Sequence, residues 1–133
     1  MSRTLLLDTN ILSKLINDDS GRIASKVIAA GADNVCTSII AAAELRYGAL
    51  KKKSVRLRRE VEELLAEMQV LPFDEPADAE YAKLRLALQE IGKMLAPNDL
   101  LIASHASALD ATVVTADTAF EYASKLVKVA VWR

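Results

Sequence analysis

The chain has 133 residues, with 17 Lys and Arg against 18 Asp and Glu, one His, and a formal net charge of −1. That is the size of one domain, expected over residues 1–133, long enough to bury roughly two-thirds of its unfolded surface in one core. No apolar run approaches the ~20 residues of a membrane span, and one cysteine and one histidine exclude a disulfide framework, a Cys-based zinc site and a two-His relay.

Met1-Ser2-Arg3-Thr4-Leu5-Leu6-Leu7-Asp8 has too short an apolar run for a secretory signal, which with the lone Cys36 fits a reducing cytoplasm. Thr4 to Leu7 reads as a buried strand ending at Asp8. A helix with Ile11, Leu12, Leu15 and Ile16 follows, broken by the polar turn Asn17-Asp18-Asp19-Ser20-Gly21. Ile23, Val27 and Ile28 have helical spacing up to Gly31. Asn34 to Thr37 is a second strand, and Ser38 is placed to cap a helix through Glu44 to Leu50.

Lys51, Lys52 and Lys53 with Arg56, Arg58 and Arg59 are expected to open the next helix, whose apolar stripe is Val61, Leu64, Leu65 and Met68. Val70 to Phe73 is a third strand. Pro76 is expected in the first turn of a helix carrying Tyr81, Leu84, Leu88 and Ile91. A helix over 98–109, a strand over Thr112 to Thr115, a short helix from Asp117 to Ser124 and a strand from Val127 to Val131 complete the chain. Short apolar strands alternating with helices point to a parallel sheet covered on both faces, an open α/β sandwich.

The chemistry rests on carboxylates. Asp8 ends the first strand and Asp117 follows the fourth by two residues; if those strands are neighbours, both acids meet at the carboxyl edge of the sheet. Asp99 lies in the first turn of its helix, where a favourable dipole interaction of up to ~1 kcal/mol needs no function. Glu44 interrupts the apolar Ile39-Ile40-Ala41-Ala42-Ala43-Glu44-Leu45, either on a solvated stripe or turned into a polar pocket.

Four blocks in order resemble the signature of PIN-domain nucleases, and more narrowly the VapC-type toxins of bacterial toxin–antitoxin modules: Leu5-Leu6-Leu7-Asp8-Thr9-Asn10, Ala43-Glu44-Leu45-Arg46-Tyr47-Gly48, Pro97-Asn98-Asp99-Leu100-Leu101-Ile102-Ala103 and Val114-Thr115-Ala116-Asp117. The resemblance spans Leu5 to Trp132. It implies a PIN-like α/β/α sandwich with a five-stranded parallel sheet of order 3-2-1-4-5. It also implies a metal-dependent endoribonuclease acting on selected tRNA or rRNA in the bacterial cytoplasm, blocked by a cognate VapB-type antitoxin. A homodimer is the expected assembly, with no membrane association. Asp8, Glu44, Asp99 and Asp117 match the acidic quartet, Asn10 the polar residue supporting the first acid, and Thr115 the hydroxyl before the last. The chain departs from many relatives at Ala96-Pro97-Asn98, and the family varies between Asp and Asn at the position of Asp117.

Oxygen ligands without His or Cys select a hard cation, Mg²⁺ or Mn²⁺. Asp8 and Asp99 are expected as direct ligands, with Glu44 and Asp117 acting through water. Arg46, Lys51, Lys52, Lys53 and Arg56 are candidates for RNA phosphate contact, set against a plain solvated helix face. His105 and Cys36 read as structural; Tyr47 and Trp132 are able to stack on bases, but with only 5% aromatic residues packing is the favoured reading for both. Leu12, Leu15 and Ile16 read as core, or as a surface for antitoxin or a second subunit. Two other readings compete: a phosphotransfer or phosphatase domain, which would want an Asp where Asn10 stands, and a catalytically inactive PIN-like binding module, which would have lost acids that are all present here.

Overall fold

The computed structural model describes residues 4–17 and 20–133. Arg3 and the Asp18–Asp19 part of the expected turn lie outside them. Five strands, β1 (Leu5–Leu7), β2 (Val35–Ser38), β3 (Gln69–Leu71), β4 (Thr112–Thr115) and β5 (Val129–Val131), form one sheet in the order β3-β2-β1-β4-β5. Every neighbouring pair is parallel. Between them lie α1 (Thr9–Asn17), α2 (Arg22–Ala30), α3 (Ile39–Lys51), α4 (Val55–Ala66), α5 (Ala77–Glu90) and α6 (Pro97–Ala108).

Consecutive residues of a strand point to opposite faces, so burial of neighbours tests whether both faces are covered. Leu6 and Leu7 are both fully buried, as are Val113, Val114 and Thr115. Helices therefore cover both faces, the sandwich that alternating strands and helices require. The sheet reverses its order between β1 and β4, and the β1–β4 register pairs Leu7 with Val114. The residues just beyond, Asp8 and Thr115, stand side by side at the carboxyl edge.

Several boundaries differ from the sequence expectation, each for a local reason. Lys51 closes α3, Lys52 caps it and Lys53 takes a left-handed backbone (φ 54°), so the triple lysine forms a turn and does not open α4. Ser54 opens α4, its Oγ accepting from Leu57 N at 3.1 Å. β3 stops at Leu71 because Pro72 has no N–H for the ladder. Pro76 precedes α5 as its cap residue and is not inside its first turn. The segment after Asp117 is a 3₁₀ helix, Thr118–Ala123. Val127 N donates to Ala123 O at 2.8 Å, so β5 starts two residues later than its apolar run. α6 begins one residue earlier, at Pro97, where a missing N–H is harmless.

No helix among the described residues is long and apolar enough to cross a membrane. Leu12 is in the core, and Leu15 and Ile16 pack partly buried against it, as does Trp132. His105 is buried: its Nδ1 lies 2.7 Å from Ser38 Oγ, its ring also bonds the Pro72 carbonyl, and its edge meets Phe73 at 5.4 Å. Cys36 is buried, and burial pushes its thiol up to about 11, out of reach of thiolate chemistry at neutral pH.

Candidate active site

Asp8 enters the site from the end of β1 and is only 1% exposed. Its main-chain N–H completes the sheet by donating to Val114 O at 3.0 Å, and its Oδ1 caps α1 by accepting from Ile11 N at 2.9 Å. The Thr115 hydroxyl and the main-chain N–H of Asn10 also bond this carboxylate. Burial still outweighs these bonds, and the nearby Asp117 charge adds to it, so the Asp8 pKa is raised. Asn10 thus supports Asp8 through its backbone, while its side chain is exposed.

Thr115 serves two acids. Besides bonding Asp8, its Oγ1 accepts from Asp117 N at 3.0 Å. Asp117 in turn caps the 3₁₀ helix, Oδ1 accepting from Ala119 N at 2.8 Å. Asp99 approaches from the first turn of α6. Burial, and then the charges of Asp8, Glu44 and Asp117, push its pKa up to about 6. A helix dipole alone would push it down, so the other carboxylates and the loss of water decide the sign. Asp99 therefore feels the charges of Asp8, Glu44 and Asp117, and Asp8 that of Asp117, which gathers the four acids at the carboxyl edge of the sheet.

Glu44 is half-buried and turns toward the other acids, not onto a solvated stripe. Thr9 Oγ1 donates to its Oε1 at 2.6 Å, and Asn98 Nδ2 donates to its Oε2 at 3.0 Å. One carboxylate thereby ties α1, α3 and α6 together. Sequence reasoning missed Thr9 and Asn98. Each stands immediately beside an assigned acid, Asp8 and Asp99, and that adjacency is the one signal that could have found them.

The basic candidates do not form one patch. Arg46 is held by Glu62 through two bonds of 2.9 Å, and Arg56 lies 3.4 Å from Glu60. Lys51 stacks over Tyr47 at 5.9 Å, while Lys52 and Lys53 are exposed in the turn. Tyr47 is 65% exposed, which corrects its reading as a packing residue: the buried face of α3 runs through Ala41, Ala42, Leu45 and Ala49, and Tyr47 lies on the other side.

Among the described residues, no three Asp, Glu, His or Cys side chains close into a group that could by itself hold a metal ion. The donor set nevertheless fits a hard divalent cation. It is all oxygen, it has excess negative charge, and Mg²⁺ is commonly held by one or two carboxylates while keeping several waters. Two surface cavities of about 480 and 380 Å³ lie away from the four acids. Chemistry, not volume, marks this site.

The model of the PIN domain matches residues 5–126. The chain belongs to the PIN-domain family. This PIN-domain chain is 35% identical over 112 residues to ribonuclease VapC2 of Rickettsia felis, covering 83% of this chain and 84% of that protein. It is 36% identical over 129 residues to toxin FitB of Neisseria gonorrhoeae, covering 90% and 92% respectively. Its fold matches a chain in the crystal structure of VapBC2 from Rickettsia felis bound to a DNA fragment from their promoter. That match has a TM-score of 0.89 at 31% identity, over 98% of this chain and 99% of the other. The expected sheet order and family are both borne out.

Proposed function

We propose that this chain is the toxin of a bacterial toxin–antitoxin pair, an endoribonuclease that requires Mg²⁺ or Mn²⁺ and cuts selected cellular RNA, of the tRNA or rRNA class. The observation that carries this reading is the gathering of four carboxylates at the carboxyl edge of the sheet, where burial and the charges of Asp8, Glu44 and Asp117 push Asp99 up to about 6. Such a cluster is unfavourable without a cation to neutralise it. The relatives' names, a ribonuclease in one organism and a toxin in another, support it further.

Asp8 and Asp99 would hold the cation directly, with Glu44 and Asp117 acting through water. When bound, the cation supplies neutralisation of the acids, activation of water at neutral pH and stabilisation of charge on the phosphate oxygens. The protein's part is orientation. Asp8 is fixed by Ile11 N–H and Thr115, Glu44 by Thr9 and Asn98, and Asp117 by Ala119 N–H. None of the three needs to reorganise as charge develops at the phosphate.

The partners follow from the same reading: a cognate VapB-type antitoxin that covers the acids, and a second copy of the chain, for which the exposed Leu86, Ile91 and Met94 offer apolar surface. The cytoplasm is the proposed location. The test is cleavage of total bacterial RNA by the purified chain, with 5′ ends mapped after a brief reaction. Cleavage should need Mg²⁺ or Mn²⁺ and disappear in Asp8→Asn, a variant that retains the cap on α1. Full cleavage in excess chelator, or undiminished cleavage by Asp8→Asn, would refute the mechanism.

A further inference from the structure

Beside the acids, a cavity of about 110 Å³ opens between α1, α3 and α4. Thr9 and Glu44, joined by their hydrogen bond, line its end nearest the other acids. Two rows of residues lead away from that junction. α1 contributes Thr9, Ser13 and Asn17, and α3 with its cap residue contributes Glu44, Gly48 and Lys52; the apolar Ile16, Leu45, Ala49, Leu57 and Val61 complete the lining. Each row is spaced by four, which places it on one helix face. At the helical rise of 1.5 Å per residue, Lys52 lies about 12 Å beyond Glu44 along α3.

Gly48 stands midway and is the informative residue. Its backbone is outside the left-handed region, and a Cβ built on it meets nothing within 4 Å. Neither conformation nor packing requires glycine there, and glycine weakens a helix relative to alanine. What a side chain would occupy is the open space of the groove. Lys52 closes the far end. Arg46 and Arg56 are engaged by carboxylates, but Lys52 has no ion pair among the described residues.

We propose that this groove is a substrate subsite, threading the sugar–phosphate backbone of the RNA strand on one side of the cut, with Lys52 taking a phosphate. The inference rests on the ribonuclease reading above. At about 110 Å³ the groove is too small to enclose an ordinary ligand, and its mixed lining gives a ribose an apolar surface to pass over while Lys52 faces the phosphate. Ser13 and Asn17 supply hydrogen-bonding groups along the path, and Gly48 keeps the path open. Contacts of this kind position a strand without reading its sequence.

The test uses the Asp8→Asn protein as a binding-only parent and labelled single-stranded oligoribonucleotides of two unrelated sequences. Gly48→Leu should weaken binding of both on the order of tenfold. Gly48→Ala should weaken it less while raising the melting temperature, which separates blocked access from damaged folding. Lys52→Ala should flatten the log–log salt dependence by about 0.7. If the parent binds and Gly48→Leu binds equally well, the subsite is refuted, also where that variant loses an antitoxin. A loss confined to one sequence refutes the backbone assignment. If the Asp8→Asn parent binds neither RNA, and the unsubstituted chain cuts none, the ribonuclease reading itself has failed.

Discussion

Replacing Asp99 with asparagine should inactivate the enzyme and stabilise the fold, and the stabilisation should appear only at neutral pH. In the unfolded chain Asp99 ionises near 3.8; in the fold it ionises near 6. Between those values the folded state holds a proton that the unfolded state has lost. Stability from this group is therefore complete below pH ~3.8, falls as pH rises to ~6 and stays low above it. Two pKa units correspond to ~3 kcal/mol if fully retained, and solvent screening of a half-buried group reduces this to about 1–2 kcal/mol. For a domain of this size that is a gain of roughly 2–8 °C in melting temperature for Asp99→Asn near pH 7.5. Near pH 4, where both side chains are largely neutral, the two proteins should melt within a degree or two of each other, on the order of the residual charge. Thermal denaturation in chelator at both pH values measures the difference. Equal stabilisation at the two pH values, or a less stable Asp99→Asn at pH 7.5, would refute the claim that burial and the neighbouring charges raise this group.

Two further outcomes follow from the same cluster. Millimolar Mg²⁺ or Mn²⁺ should raise the melting temperature of the parent with increasing concentration and leave Asp8→Asn nearly unmoved; a parent curve indifferent to both ions would mean the acids do not form a cation site. Asp117→Asn should retain more single-turnover activity than Asp99→Asn, since an asparagine oxygen can still accept from Ala119 N; the reverse order would overturn the assignment of Asp99 as the more direct ligand.

Legibility followed the range of the physics. β1 and β4 were readable because short apolar runs ending in polar residues carry their own signal, and Ser38 because a capping hydroxyl acts on an N–H two residues away. The four acids were found through blocks whose order along the chain survives in one dimension. Thr9 and Asn98 were not, because their bonds to Glu44 span 35 and 54 residues and leave no local pattern. The lysine triplet misled for a different reason: its charge suggested a helix face, while the adjacent Ser54 and the left-handed Lys53 made it a turn. Tyr47 misled because α3 has a narrow buried face of small residues, and helical spacing from Glu44 alone does not reveal which side that is.

Asp8 and Asp117 also hold helix starts, each with an oxygen on a main-chain N–H. Disarming this protein and loosening it are therefore separable only by the choice of substituent. An alanine at position 8 removes the charge and the cap together, and losing a cap of this kind destabilises a fold by ~1 kcal/mol. A cell carrying that alanine would have less folded protein as well as a dead one, and its tolerance of the gene would not distinguish the two. Asparagine, which keeps the acceptor and discards the charge, leaves the scaffold in place for a partner to grip. On the proposed function, a harmless chain that still sequesters an antitoxin is then one substitution away from the active one.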